Sequence, residues 1–234
     1  MQKASRMEPP ISLTRRIRSL LADPDNPKSA SGRARRARWH QFLTFFPDIE
    51  NCRVLDLGGT LGSWSLCPRD PRELTIVNLE CDDQTLSLES GTPVQLIRGD
   101  VFNLEECLPP QTFDVVYSNS LLEHLGGHVR RASFAQTARS LAPRYWVQTP
   151  YRYFPIEPHY VFPCVQFFPL PLRAEIARHW PLGHMHEQDR RASLEAAQAI
   201  ELVGRAELSL YFPDARIVTE WFAGLPKSLI ALRG

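Results

Sequence analysis

A short apolar run that ends at a carboxylate and a glycine-rich turn constrains the fold of this chain more than any other feature. Residues 53–57 are Arg-Val-Leu-Asp-Leu, and residues 58–62 are Gly-Gly-Thr-Leu-Gly. A run this short and apolar predicts a buried β-strand, and glycine allows the backbone after it to turn sharply and approach a ligand closely. The segment therefore predicts a parallel strand followed by a binding loop.

Further apolar runs extend this pattern into a sheet. They are continuous rather than alternating in polarity, which is typical of parallel strands buried on both faces. The runs are residues 74–79, 94–97, 113–117 and 145–147. They predict an α/β fold with a doubly wound, mostly parallel, seven-stranded sheet that is Rossmann-like and has an antiparallel last strand. We expect helices over about residues 32–46, 129–141 and 192–203, and a final strand pair at residues 206–212 and 227–232.

Proline and aromatic residues interrupt the alternation of strands and helices after position 149. Their density over residues 150–172 excludes a continuous helix there, and we expect an irregular cap insertion over about residues 150–190, above the carboxyl-terminal edge of the sheet. Prolines also interrupt residues 1–32, which we expect to form a loosely ordered N-terminal arm. The predicted organisation is this arm followed by one domain of residues 33–234, which includes the cap.

Composition places the chain among ordinary globular proteins. It has 234 residues, 43% of them apolar and 23% charged, with a formal net charge of +1, so the whole molecule gives no signal for nucleic acid. Residues 1–50 hold ten Lys or Arg and five Asp or Glu. This excess is either a solvated helix face or a contact for an anionic substrate, a membrane surface or a nucleic acid.

The five cysteines have neither paired spacing nor histidines placed for a zinc site. We therefore interpret them as reduced structural thiols and expect a cytoplasmic protein. No apolar run reaches the length of a transmembrane helix, so we expect no membrane span.

Polar residues follow four of the expected strands, where ligands of open α/β sheets bind. They are Asp56 with loop 58–62, Glu80, Asp100 and Asn119. Glu80 lies at about the spacing of a carboxylate that accepts ribose hydroxyls, which indicates a nucleoside ligand. The dinucleotide pattern G-x-G-x-x-G fails, because Thr60 and Ser63 stand where it needs glycine, and the Walker pattern is also absent.

The chain resembles the class I S-adenosylmethionine-dependent methyltransferases that act on small molecules. The resemblance covers about residues 33–234 and is carried by residues 54–62, 80, 99–100, 113–119, 122–124, 149–150 and 154–159. It implies S-adenosylmethionine as cofactor, with loop 58–62 around its methionine part, Glu80 on the ribose, and Asp100 and Val101 on the adenine. The implied cofactor residues are Asp56, Gly58, Gly59, Thr60, Gly62, Glu80, Asp100, Val101 and Asn119. Family members often carry glycine where this chain has Thr60.

Two histidines are candidate catalytic bases for removing a proton from the methyl acceptor. His124 follows the fourth expected strand at the cofactor edge, and its alternative role is local packing at the start of a helix. His159 lies in the cap beside Glu157, which orients it if the intervening proline allows. His184 and His186 lack a cysteine partner or a helical i,i+4 pair, so we expect solvated loop residues and no metal site.

The aromatic residues of the cap indicate a small hydrophobic or aromatic acceptor, because such side chains form an apolar pocket wall; the alternative is that the cap only packs on its own sheet. A peripheral contact of residues 161–172 with a membrane stays open. One rival function is an RNA or protein methyltransferase that docks substrate on the basic arm, although we expect no nucleic acid. Another is a binding protein without turnover. The acceptor, the methylated atom and the oligomeric state are not determined by the sequence.

Overall fold

A computed structural model describes residues 29–108, 111–183 and 189–234. The predicted N-terminal arm therefore lies almost entirely outside the described residues, and so do His184 and His186. Within the described ranges, no helix is both long enough and apolar enough to cross a membrane.

The centre of the molecule is an eight-stranded sheet with the order β3-β4-β2-β1-β5-β6-β10-β9. Its strands are β1 (Arg53–Leu57), β2 (Glu73–Asn78), β3 (Gln84–Ser87), β4 (Pro93–Arg98), β5 (Val115–Asn119), β6 (Arg144–Pro150), β9 (Arg216–Phe222) and β10 (Leu225–Arg233). Strands β4, β2, β1, β5 and β6 are parallel neighbours. Strand β10 is antiparallel to both β6 and β9, and β3 is antiparallel to β4.

This sheet confirms the predicted fold class, since the five apolar runs of the sequence are β1, β2, β4, β5 and β6. The sheet has one strand more than the predicted seven. The addition is β3 at the edge of the sheet, where no residue of the strand is buried, and an exposed polar strand gives no apolar run to recognise.

One predicted strand is wrong. Residues 206–212 lie in helix Arg205–Tyr211 and its C-cap, and the strand that pairs with β10 is β9. Leu208, Tyr211 and Phe212 are buried, whereas Leu210 is 66% exposed. Burial at a spacing of three to four residues is the period of a helix rather than of a strand.

Helices cover both faces of the sheet. They are α1 (Ala30–Phe45), α2 (Leu61–Trp64), α3 (Leu104–Cys107), α4 (Gly127–Leu141), α5 (Leu170–His179), α6 (Arg190–Gln198) and α7 (Arg205–Tyr211). Trp39 and Phe42 of α1 pack with Val54 in the core on one face. Phe134 of α4 packs with Leu55 in the core on the other face. Successive residues of β1 thus enter opposite cores, as its continuous apolar sequence requires.

The cap contains a small hairpin of β7 (Ile156–Glu157) and β8 (Phe162–Pro163), followed by a 3₁₀ turn at Val165–Phe167. Helices α5 and α6 follow it. Tyr160, Val165, Ala174 and Ala197 form a separate cluster of buried residues, so part of the cap packs on itself. The predicted absence of α-helix over residues 150–172 is wrong at its end, because α5 begins at Leu170, where Pro169 and Pro171 lie in positions that a helix start tolerates. The helix expected over residues 192–203 runs over Arg190–Gln198.

Candidate functional site

The carboxyl ends of β4, β2, β1, β5 and β6 lie along one edge of the sheet, because these five strands are parallel neighbours. The residues that follow them come together there, as ligand sites of open α/β sheets do. Asp56 is the fourth residue of β1, Asn119 ends β5, and Glu80 and Asp100 each come two residues after a strand end.

Asp56 is a fully buried carboxylate at the base of this edge. Its Oδ2 accepts a hydrogen bond of 2.7 Å from the Trp64 indole, whereas its Oδ1 has no partner within the described part of the chain. Burial raises the pKa of Asp56 to about 7, against the opposing effect of the Trp64 hydrogen bond. An orphaned buried carboxylate oxygen is costly, and a cation placed against it relieves that cost.

Two glycines let the loop after β1 pass close to this carboxylate. Gly58 has a φ of +82°, and a Cβ on Gly59 would lie 1.7 Å from Asp56 Oδ2. The Asn78 side chain at the end of β2 donates to the carbonyl oxygens of Gly58 and Gly59, at 3.3 and 2.8 Å. The loop is therefore held against its neighbouring strand, and only glycine fits beside Asp56.

A cavity of about 300 Å³ opens beside the loop. Among the residues expected to bind cofactor, it is lined by Asp56, Gly58, Gly59, Thr60 and Asn119. Its other lining residues, which the sequence analysis did not select for the site, are Arg35, Arg38, Ser63, Tyr117, Ser120 and Lys227. Its volume is at the lower end of the range for small-molecule sites.

Glu80, Gly62, Asp100 and Val101 lie on the same edge but do not line this cavity. Glu80 is exposed, and its backbone amide donates to Asn78 Oδ1 at 3.0 Å. Asp100 accepts the Phe102 amide at 3.0 Å, and Val101 is buried in the core. The structure thus brings five of the nine expected cofactor residues to one cavity and places the other four along the edge.

Arg38 also lines the cavity, although it belongs to helix α1 and not to the end of a strand. It donates to Asn119 Oδ1 at 2.7 Å and forms an ion pair with Glu220 of β9 at 2.9 Å. Both charged side chains are nearly buried, with 11% and 8% exposed. The basic run of residues 33–38 was the only sequence signal for this residue, and the sequence did not show which arginine faces the sheet.

His124 and His159, 35 positions apart in the sequence, face each other in the structure. Their Nε2 atoms are 3.2 Å apart and their rings are perpendicular, at 90°. Partial burial and the charge of His159 lower the pKa of His124 to about 4. Burial also disfavours charge on His159, but its hydrogen bond to Glu157 and the charges of Glu157 and Glu123 raise its pKa overall.

Two buried carboxylates support this histidine pair. Glu157 accepts from His159 Nδ1 at 2.6 Å and from the Tyr160 amide at 2.8 Å. Glu123 accepts from the Thr149 hydroxyl at 2.9 Å through Oε2, and burial raises its pKa. Pro158, which lies between them, does not prevent Glu157 from orienting His159. The sequence had given no indication of a role for Glu123.

The cap aromatics divide into two groups. Tyr160 is buried in the cap's own core, and Phe162 packs edge-on against Trp180 with ring centres 5.0 Å apart. Tyr153 and Phe167 are 59% and 53% exposed, and their rings stack 6.0 Å apart. One group of cap aromatics thus packs within the cap, and the other is exposed to solvent.

Comparison with known proteins supports the fold. No family model and no curated protein sequence matches the chain. Among solved structures, it is similar to the N-methyltransferase NodS from Bradyrhizobium japonicum WM9 in complex with S-adenosyl-L-homocysteine. The TM-score is 0.53 and the identity 10%, over 93% of this chain and 94% of that one.

It is also similar to a cyclopropane-fatty-acyl-phospholipid synthase-like protein from Lactobacillus casei ATCC 334. That TM-score is 0.53 and the identity 12%, over 89% of this chain and 77% of the other. The chain has the fold of the class I S-adenosylmethionine-dependent methyltransferases.

Proposed function

We propose that this protein is an S-adenosylmethionine-dependent methyltransferase that transfers a methyl group to O, N or C of a small hydrophobic or aromatic metabolite. The observation that carries the proposal is the buried Asp56 carboxylate, one oxygen of which has no partner among the described residues, set against two glycines at the ligand edge of the sheet. The fold is that of methyltransferases, and the residues of the site are what indicate the function.

The residues of the site fit the proposed cofactor. S-adenosylmethionine carries an ammonium and a sulfonium group, and its ammonium can donate to the Asp56 oxygen that has no partner among the described residues. Lys227, which lines the same cavity, suits the cofactor's carboxylate. We assign Glu80 and Asp100, which follow the ends of the next two strands, to the ribose hydroxyls and the adenine amine. The bound cofactor supplies an activated methyl group, and the protein aligns it and excludes water.

The acceptor side of the site is assigned to His124, His159 and the exposed cap aromatics. Glu157 holds the Nδ1 side of His159, which leaves Nε2 directed at His124. A ring held in this way can accept a proton from an acceptor hydroxyl. Tyr153 and Phe167 present exposed stacked rings, which favours an apolar or aromatic acceptor.

Isothermal titration calorimetry with S-adenosylmethionine and with its demethylated product tests the proposal. The full chain should bind both, and Asp56→Ala and Glu80→Ala should each weaken binding at least tenfold. Glu89→Ala is the matched control, because Glu89 is an exposed glutamate in the β3–β4 turn, beyond the amino end of β4. Absence of binding at millimolar cofactor would refute the proposal.

The alternative, an RNA or protein methyltransferase docking its substrate on the basic arm, has no specific observation in its favour. Most of that arm lies outside the described residues, and Arg38 of the basic run is engaged by Glu220 and Asn119. A chain lacking residues 1–28 separates the two functions, since only the alternative requires the arm for substrate binding.

A further inference from the structure

We propose that Glu123, His124 and His159 form a binding site for a divalent transition metal ion, with Zn²⁺ as the best match. One ligand atom from each of the three residues lies within 4.8 Å of the other two. The residues come from the 3₁₀ turn Leu122–His124 after β5 and from the cap. Their distance in the sequence explains why no metal spacing was visible there.

The two histidines are close enough to bind one ion together. Two Nε2 atoms 3.2 Å apart suit a shared ion, because metal–nitrogen bonds of about 2.05 Å would then enclose an angle of about 100°, close to tetrahedral. Without an ion, one of the two rings must donate to the other, and their protonation states are constrained by each other.

Glu123 adds a buried carboxylate beside the two histidines. Glu123 is 0% exposed, and its Oε2 accepts from Thr149. Its Oε1 has no hydrogen-bond partner among the residues that the structure describes. A buried carboxylate oxygen without a partner is destabilising, and a cation held by the adjacent histidines would neutralise it.

A neighbouring carboxylate, that of Glu157, holds the ring of His159 in place. Glu157 lies 2.6 Å from Nδ1 of His159 and is itself fixed by the Tyr160 amide. Metal-ligating histidines commonly donate their second ring N–H to a carboxylate, which fixes the tautomer and makes the ligating nitrogen more basic. This arrangement leaves the Nε2 lone pair of His159 free for an ion.

The donor set selects the class of metal. Two imidazoles and one carboxylate suit Zn²⁺ and neighbouring transition ions, whereas Mg²⁺ and Ca²⁺ prefer all-oxygen sites. Three protein ligands leave a coordination position open, and His124 is exposed to solvent. If the proposed methyltransferase function holds, the ion replaces His159 as the activator of the acceptor, because the Nε2 lone pair of His159 is then bound to the metal. An acceptor hydroxyl at the open position would lose its proton to solvent more easily. Metal binding itself does not depend on that function.

The test uses the full chain, stripped with chelator and titrated with Zn²⁺ by calorimetry and with Co²⁺ by absorption, without cofactor. We expect one equivalent of Zn²⁺ to bind with a Kd below about 1 μM, and Mg²⁺ not to compete. His124→Ala and His159→Ala should each weaken binding about a hundredfold. Glu157→Gln, which changes only the support of His159, should weaken it about tenfold.

Two control variants exclude other sites. His179→Ala removes a histidine that also has a glutamate neighbour, with Nδ1 3.5 Å from Glu175 Oε2, but has 70% of its side chain exposed; this variant should bind as the parent does. The His184→Ala/His186→Ala double variant should also bind normally. Because His124 is exposed, its replacement by alanine should not unfold the protein, and circular dichroism checks this.

Three results would overturn the inference: no Zn²⁺ binding by the parent chain, binding retained in both His124→Ala and His159→Ala, or a Co²⁺ spectrum with thiolate charge-transfer bands. Cofactor binding measured on the same samples separates the proposals. Normal cofactor binding without metal binding contradicts only the metal site, and the reverse contradicts only the methyltransferase function.

Discussion

At the residue scale, burial determines the protonation state of Asp56 in the ligand-free protein. Its pKa of about 7 lies above the value near 3.9 that an aspartate has in an unfolded chain. Between these two values the folded protein holds a proton that the unfolded chain has lost. Tyr117, Arg38 and Lys227 line the same cavity, and a cationic ligand against Asp56 favours the ionised form.

The first prediction is that Asp56 adds a component to the stability of the ligand-free protein that decreases as pH rises, opposite in sign to the component of His124, whose pKa is lowered to about 4. The contribution of Asp56 is complete below about pH 4 and is lost progressively up to about pH 7, by as much as about 1.4 kcal/mol per pH unit. Urea denaturation of the parent and of Asp56→Asn across this range measures the component as the difference between the two pH profiles. Asp56→Asn should remove this component, whereas Asp82→Asn, at an exposed aspartate, should leave it. Identical pH profiles for the parent and Asp56→Asn would contradict the prediction.

Gly59 gives a second prediction at this scale. Gly59→Ala places a methyl group 1.7 Å from Asp56 Oδ2, so the loop or the carboxylate must move, and we expect a loss of about 2 kcal/mol in the free energy of unfolding. Gly62→Ala is the control, because nothing lies within 4 Å of its added Cβ and alanine is the better helix former. Chemical denaturation compares the two, and equal stability would show that the loop relaxes freely.

At the scale of elements, the ion pair of Arg38 and Glu220 joins α1 to β9. The two residues lie 182 positions apart in the sequence. The same guanidinium holds Asn119 at the end of β5. The first described helix thus takes part in the cavity rather than only covering the sheet. Because both charges are nearly buried, removing Arg38 takes away the ion-pair partner of Glu220 and leaves only partial compensation from the charge of Lys227.

We therefore predict that Arg38→Met lowers the free energy of unfolding by about 3 kcal/mol, and that the double variant Arg38→Met/Glu220→Leu recovers most of the loss. Arg191→Met is the matched control, since the Arg191–Glu195 pair is 88% and 65% exposed and should matter by less than about 0.5 kcal/mol. Urea titrations decide the outcome. Additive losses in the double variant would mean that the pair is not coupled.

The elements also show which parts of the fold the sequence could predict. Strands β1, β2, β4, β5 and β6 are buried on both faces, so each is a visible apolar run. Strand β9 has one buried residue among seven and gives no such run. Residues 206–212 are apolar enough to resemble a strand, but their buried positions repeat with a helical period. Local patterns thus identify the buried centre of the sheet and fail at its periphery.

The candidate site, like the fold, was predicted from the sequence only where its signals are local. Loop 58–62 and the strand-end carboxylates are local signals, and the sequence located them. The contacts of Arg38 with Glu220, of His124 with His159, and of Glu123 with Thr149 join distant positions. Such pairs depend on how the elements pack, which spacing along one sequence does not encode.

At the scale of the whole molecule, the order of the strands has a consequence for how the protein is made. Strand β10 lies inside the sheet between β6 and β9, although it is the last of the eight to be translated. Until it emerges from the ribosome, β6 has an open edge, and the cavity lacks Lys227. A nascent chain that has reached β6 is therefore an open-edged intermediate, prone to wrong pairing. The site becomes complete only when the final hairpin closes.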